Sequence, residues 1–248
     1  MNLLAMDTGT EFLSIALRTQ GVDGPRVWEH QGPGGARAST DLIAGVLDLL
    51  AQAGLPMSTL DAMAFGAGPG SFTGLRTACS VVQGLAFGAK VPVLPVDSLL
   101  AVAEDARQSA AAEVPALQVL ALLDARMDEM YAAHYAYAHG QWRVLQPCQL
   151  VRPEALRLPA LDASQGPLLL AGNVFAVYAE RLDPVVLQGG MVVSALPTAA
   201  AMLRLAPAML AAGLAVDAAH AMPSYIRDKV AKTTSERLAE KAAAASAA

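Results

Sequence analysis

Two stretches hold residues whose types and spacing could do chemistry. Asp7-Thr8-Gly9-Thr10 sets a carboxylate, two hydroxyls and a permissive backbone position directly after an apolar run. Gly66-Ala67-Gly68-Pro69-Gly70-Ser71-Phe72-Thr73-Gly74-Leu75-Arg76 places four glycines, two hydroxyls and an arginine between an apolar run and a helical pattern. Glycines allow positive φ or a close backbone approach. Ser71 and Thr73 are both good helix N-caps, and backbone N–H groups at such a corner can hold an anion. The spacing G-x-G-x-x-x-G is neither a dinucleotide fingerprint nor a Walker A loop, and it lacks the phosphate-gripping lysine. Taken alone, the pattern reads more readily as a tight turn than as a ligand contact.

Other chemistries are less well served. An aspartic protease needs two carboxylates sharing one proton, and Asp7-Thr8-Gly9 has no second copy. Gly70-Ser71 is not a nucleophile elbow, with Pro69 before it and Phe72-Thr73 after. The histidines, His30, His134, His139 and His220, and the cysteines, Cys79 and Cys148, show no zinc spacing. His134 and His139 read as satisfied surface histidines. No catalytic residue and no metal site is expected.

The elements that must position these stretches follow from periodicity and turn chemistry. Residues 2–6, 12–18 and 26–30 read as an antiparallel meander turning at Gly21, Gly24 and Pro25. Ser39 or Thr40 caps a helix to about Ala53, ended by Gly54 and Pro56. Residues 62–65 are a buried strand, 77–89 a helix and 91–96 a strand. Asp97 or Ser98 then caps an alanine-rich helix to about 112. Strands follow at 117–123, 129–138 and 141–146, the last two joined at Gly140. A strand at 168–171, a helix at 174–182 capped by Asn173, a short strand at 185–187 and a helix at 198–212 complete the order.

The 248 residues are 54% hydrophobic and 16% charged, enough for a sizeable core. A net charge of −5 argues against a chain that grips nucleic acid alone. Two cysteines make no disulfide framework and suit a reducing cytoplasm. The most apolar later stretch, 196–219, is broken by Pro197, Arg204, Pro207 and Asp217 and falls short of a membrane span.

The element order partly repeats, and each half opens on a strand ending in Asp: Met6-Asp7-Thr8 and Leu123-Asp124-Ala125. A strand-end aspartate often only caps a turn. Two at matching places suggest a cleft between duplicated lobes, the two ribonuclease-H-like units of the actin, Hsp70 and sugar-kinase superfamily, here with a reduced second lobe. The expected division is 1–103, 104–222 and a partly flexible segment 223–248. In such folds the two hairpins face each other and hold ATP phosphates. The first keeps Gly9. The second, Asp124-Ala125-Arg126-Met127-Asp128, has no glycine, and Asp128 and Glu129 add repulsive charge. Asp7, Thr8, Gly9 and Thr10 thus read as a vestigial phosphate loop.

The helices on either side of the glycine corner carry more apolar or small residues than one buried face needs. Leu42, Val46 and Leu50, with Thr77, Val81 and Gly84, are expected to form a helix-on-helix interface. Arg227, Lys229, Lys232 and Arg237 form a small basic cluster that reads as a solvated face. The alanine-rich tail 238–248 suggests no chemistry.

These motifs, in order along nearly all of residues 1–237, resemble the TsaB (YeaZ) family of tRNA threonylcarbamoyladenosine biosynthesis. The most specific is the corner Gly68, Pro69, Gly70, Ser71, Phe72, Thr73, Gly74, Leu75 and Arg76. Supporting it are Leu4-Ala5-Met6-Asp7-Thr8, Leu123-Asp124-Ala125-Arg126, Glu129-Met130-Tyr131-Ala132-Ala133, Gly172-Asn173, and Pro223-Ser224-Tyr225-Ile226-Arg227-Asp228 continuing to Thr233-Thr234-Ser235-Glu236-Arg237. The resemblance implies a non-catalytic scaffold. It would pair through its N-terminal lobe with TsaD, which transfers threonylcarbamoyl to the anticodon-adjacent adenosine of tRNAs reading codons that start with A. It implies TsaE as a further partner, tRNA contact through the complex, no cofactor in the isolated chain, and ATP or ADP only in the complex. A homodimer through the same helices is open for the isolated chain. TsaD-like proteins carry metal-binding histidines on the first helix after the meander, whereas Ala38-Ser39-Thr40-Asp41-Leu42-Ile43-Ala44 has none. The family's usual His-Ser and proline are replaced at Ala38-Ser39 and Ala44. The rival readings are a glycoprotease-like peptidase and an independent nucleotide-dependent enzyme of the sugar-kinase type.

Overall fold

A computed structural model describes residues 1–21, 24–35, 38–160 and 163–227. Lys229, Lys232, Arg237, the matches from Asp228 to Arg237 and the alanine-rich tail lie outside the described residues. In the first lobe β1 (Leu3–Asp7), β2 (Phe12–Gly21), β3 (Gly24–Pro33), β4 (Ala62–Gly68) and β5 (Val93–Asp97) form one sheet in the order β3-β2-β1-β4-β5. In the second, β6 (Ala116–Asp124), β7 (Met130–Ala138), β8 (Gln141–Val151), β9 (Leu168–Gly172) and β10 (Met191–Ser194) take the equivalent order β8-β7-β6-β9-β10. In each sheet the first strand pairs antiparallel with the second and parallel with the fourth. The expected ribonuclease-H-like duplication is therefore present.

Both central strands are covered on two faces, which explains their unbroken apolar runs. In β1, Leu4 and Met6 join one core with Leu42, Val46 and Leu49 of α1 (Ala38–Ala53) and Ala78 and Val82 of α2 (Phe72–Ala89). Leu3 and Ala5 face the other way, against Ala199, Met202 and Leu203 of α6 (Ala199–Ala211). In β6, Val119 and Ala121 meet Leu99, Val102 and Ala106 of α3 (Ser98–Ala110). Leu120 and Leu122 meet Val174 of α4 (Val174–Val177) and Val186 of α5 (Pro184–Gln188). The reduction of the second lobe lies in these short helices, because its sheet keeps five strands.

The two longer helices between the sheets are exchanged. α3 follows the first sheet in sequence but packs on the second, and α6 follows the second but packs on the first. A boundary at residue 103 cuts α3 in its middle, so the sheets, and not the chain halves, define the lobes. Acidic residues on α3 pin this layer. Glu104 is 3% exposed and accepts from Arg107 Nε and Nη2 (2.9 and 2.8 Å), Arg204 Nε (2.9 Å) and Trp142 Nε1 (3.0 Å). Asp105 accepts from Thr198 Oγ1 at 2.8 Å, tying α3 to the start of α6.

Three local expectations need correction. Residues 185–187 are helical: Asp183 Oδ1 accepts the Val185 N–H at 2.9 Å and Pro184 fills the first turn, a start signal that overrides the β-branched pair. The edge strand is β10 instead. The helix at 174–182 stops at Val177. Asn173 does not cap it, because its Oδ1 accepts the Asp124 N–H at 2.9 Å. His134 is 3% exposed rather than on the surface. Its Nε2 lacks a partner, and burial pushes its pKa below the ordinary histidine value. Among the described residues, no helix is long and apolar enough to cross a membrane.

Candidate functional site: the interlobe cleft and the helix face beside it

The two Asp-ended strands point their hairpins at one cleft of about 520 Å³, lined by Thr8, Gly9 and Thr10 on one side and Asp124, Ala125 and Arg126 on the other. Both aspartates make the same turn. Asp7 Oδ1 accepts the Gly9 N–H, and Asp124 Oδ1 accepts the Arg126 N–H, each at 2.9 Å. The resemblance ends there. Asp124 also accepts the Tyr178 hydroxyl at 2.8 Å and pairs with Arg126 at 3.4 Å. Asp7 does not line the cleft. It is 1% exposed, and its Oδ2 has no partner. Burial pushes the Asp7 carboxyl up to about 7, against the opposing pull of the Gly9 N–H. A Cβ on Gly66 would stand 1.8 Å from Asp7 Oδ2, so Gly66 is the floor that lets this carboxyl sit inside.

The glycine corner is occupied by protein. The Ser71 N–H donates to Gly9 O at 2.7 Å and Thr8 Oγ1 donates to Gly74 O at 2.7 Å. A Cβ on Gly74 would fall 1.8 Å from Thr8 O, and one on Gly70 would fall 2.9 Å from Gly9 O. Gly68, with φ 121° and a cis bond to Pro69, would meet Ser224 O at 2.5 Å. These three glycines serve backbone-on-backbone packing. α2 starts at Phe72, earlier than the sequence pattern indicates, and Ser71 holds the N-cap position without a capping side-chain bond. Arg76 lies over the Phe72 ring at 3.8 Å and donates to Tyr225 OH at 3.0 Å.

Gly74→Ala is expected to destabilise the fold by about 2–4 kcal/mol even though alanine is the better helix former. Gly84→Ala, where a Cβ meets nothing within 4 Å, is expected to stabilise the isolated chain by about 0.5–1 kcal/mol. Urea unfolding of both variants checks the contrast.

Two further expectations change. The negative charges of the second hairpin are matched: Asp128 by Arg181 at 2.7 Å and Glu129 by Arg227. Leu42, Val46 and Leu50 cannot form an outer interface, because they are 0%, 0% and 5% exposed and belong to the core under the first sheet. The outward residues of α1 are Ile43 and Leu47, 43% and 52% exposed. On α2, Thr77 and Val81 are half-buried and line a groove with Ser39 and Ser80, Gly84 is exposed, and Phe87 beyond it is 77% exposed. Ile43 and Leu47 stand four residues apart on one helix face and were open to discovery by spacing. Tyr225 and Arg227 stand in the matched stretch 223–228, but no spacing places them at the cleft, and Arg227 is 12% exposed and paired with Glu129 rather than on a solvated face.

A family described as "TsaD: tRNA N6-adenosine threonylcarbamoyltransferase" matches residues 35–246. The chain is 33% identical over 234 residues to the tRNA threonylcarbamoyladenosine biosynthesis protein TsaB of Escherichia coli strain K12, covering 93% of this chain and 96% of that one. It is 35% identical over 240 residues to TsaB of Haemophilus influenzae, with 93% and 95% covered. The solved structure of YeaZ from Pseudomonas aeruginosa superposes with a TM-score of 0.78 at 38% identity, over 90% of this chain and 99% of that one. The corner, the paired hairpins and these similarities together place the molecule: the chain belongs to the TsaB family, within the wider domain family of TsaD.

Proposed function

We propose that this chain acts in tRNA threonylcarbamoyladenosine biosynthesis as a non-catalytic docking subunit for a TsaD-type transferase, through the outer faces of α1 and α2. The name shared by its relatives supports the process. The observation that carries the docking role is the composition of that face. Ile43, Leu47 and Phe87 are exposed, and beside them Gly84 and Gly88 leave open space where a Cβ would stand. An exposed mid-helix glycine costs about 1 kcal/mol relative to alanine. Among the described residues nothing packs there to offset that cost, whereas a second helix resting on the bare backbone would. The absence of catalysis is inferred from the use of the cleft residues. Thr8, Gly9, Gly70 and Gly74 hold one another, Asp7 is internal, and Asp124 is tied to Tyr178 and Arg126. TsaE, tRNA and ATP or ADP belong in this proposal to the assembled complex.

Leu47→Arg and Gly84→Arg are expected to weaken binding to the TsaD of the same organism by roughly thirtyfold or more, about 2 kcal/mol. Threonylcarbamoylation by the reconstituted system should fall in parallel. Titration calorimetry supplies the affinity. Unchanged affinity in both variants would reject this face as the docking surface, and turnover of ATP by the chain alone would reject the non-catalytic role.

A further inference from the structure

After α6 the chain crosses between the lobes once more, in seven residues. Ala221 is fully buried in the first-lobe core, and its carbonyl accepts from Gln83 Nε2 at 2.9 Å and Cys79 Sγ at 3.4 Å. The Ser224 N–H donates to Ala67 O at 2.7 Å. The Tyr225 ring rests 5.2 Å from that of Phe72 while its hydroxyl accepts from Arg76. Ile226 packs on the second-lobe core. Arg227 then donates to Glu129 Oε2, and approaches Arg126 O at 3.5 Å and Met127 Sδ at 3.1 Å. Residues 224–227 line the cleft as they pass.

The hairpin that receives this segment is strained. Arg126, Met127 and Asp128 have φ of 60°, 55° and 61°, three consecutive left-handed residues of which none is glycine. Each such residue is disfavoured by the close approach of its Cβ to the following carbonyl oxygen, and the conformation persists only where neighbours hold it. Arg227 holds the Arg126 carbonyl and Glu129, and Arg181 holds Asp128.

We propose that residues 221–227 form a latch that joins the N-terminal end of α2 to the second-lobe hairpin and sets the width of the cleft. The α3–α6 layer is the hinge, and the latch is the tether that fixes its angle. Phe72 and Arg76 line the groove on the outer face of α2 and also seat Tyr225. A partner settling on that face therefore pulls on the latch and reaches the strained hairpin through Tyr225, Ile226 and Arg227. This coupling rests on the docking reading above, whereas the latch itself does not.

Hydrogen exchange on the full chain tests the latch alone. In Arg227→Ala and Tyr225→Ala, amides of residues 125–130 are expected to exchange about tenfold faster, with β1 and β4 unchanged. The charge exchange Glu129→Arg with Arg227→Glu is expected to restore slow exchange. Unaltered exchange at 125–130 in both single variants, or no recovery in the exchanged pair, would overturn the latch. The second arm adds TsaD. Binding should alter exchange at 125–130 in the wild type and leave it unaltered in Tyr225→Ala. Binding without that response in the wild type would overturn the coupling. A TsaD that does not bind removes the docking reading and the coupling with it, and the first arm still decides the latch.

Discussion

Replacing Glu104 with alanine is expected to destabilise the protein by about 3–5 kcal/mol, because it strips a buried carboxylate from two arginines and an indole N–H at once. Burial alone would push this carboxyl up. The hydrogen bonds and charge of Arg107, then Trp142 and Arg204, outweigh that effect and hold it below the ordinary range. The group is therefore ionised and fully engaged at neutral pH. Its removal leaves the Arg107 and Arg204 side chains, 11% and 32% exposed, without their acceptor at the junction of α3, β8 and α6. For a chain of this length the thermal midpoint should fall by roughly 10 °C. Glu104→Gln preserves volume and some acceptance and should cost about half as much. Calorimetry of both variants is the check. A loss below about 1 kcal/mol for the alanine variant would mean that packing of the α3–α6 layer, and not this cluster, joins the lobes.

The second large effect is a pH dependence at Asp7. An unfolded aspartate ionises near pH 4, whereas this one is held up to about 7. Between those values the folded state binds a proton that the unfolded state has released, so its contribution to stability falls as pH rises. The contribution is complete below about pH 4, is lost progressively up to about pH 7, and is flat above. At about 1.4 kcal/mol per pH unit, the window is worth on the order of 4 kcal/mol. Asp7→Asn cannot ionise and its Oδ1 can still accept the Gly9 N–H. Measured by urea unfolding at pH 5 and pH 8, the variant is expected to gain on the wild type by about 2–3 kcal/mol at the higher pH, the part of the window above pH 5. A difference between the two proteins that does not move with pH would show that Asp7 is ionised in the fold.

The fold was legible because its two halves repeat a local signature. A strand ending in Asp, an Asx turn and an antiparallel meander can be read from neighbouring residues, and both turns form with equal bond lengths. What failed depended on residues far apart in the chain. The register of β1 on β4 pairs Met6 with Phe65 and brings the next residues, Asp7 and Gly66, side by side. No sequence window reveals that Gly66 is bare to admit a carboxyl. Leu42, Val46 and Leu50 face inward, a choice that period alone does not make, because α1 is apolar on two faces and the pattern does not say which of them meets the sheet. The glycine corner was found, but the partners of its glycines were not. Those partners are Thr8, Gly9 and Ser224, the last of them more than 150 residues away.

The exchanged helices have a consequence for how the molecule is made. Leu3, Ala5, Ala62, Ala64 and Leu94 are sealed by α6, the last long helix described. A nascent polypeptide that has emerged only through β5 thus displays a half-finished sheet with one greasy side bare. Synthesis must run past residue 200 before that side finds its cover, so the first lobe matures late and together with the second.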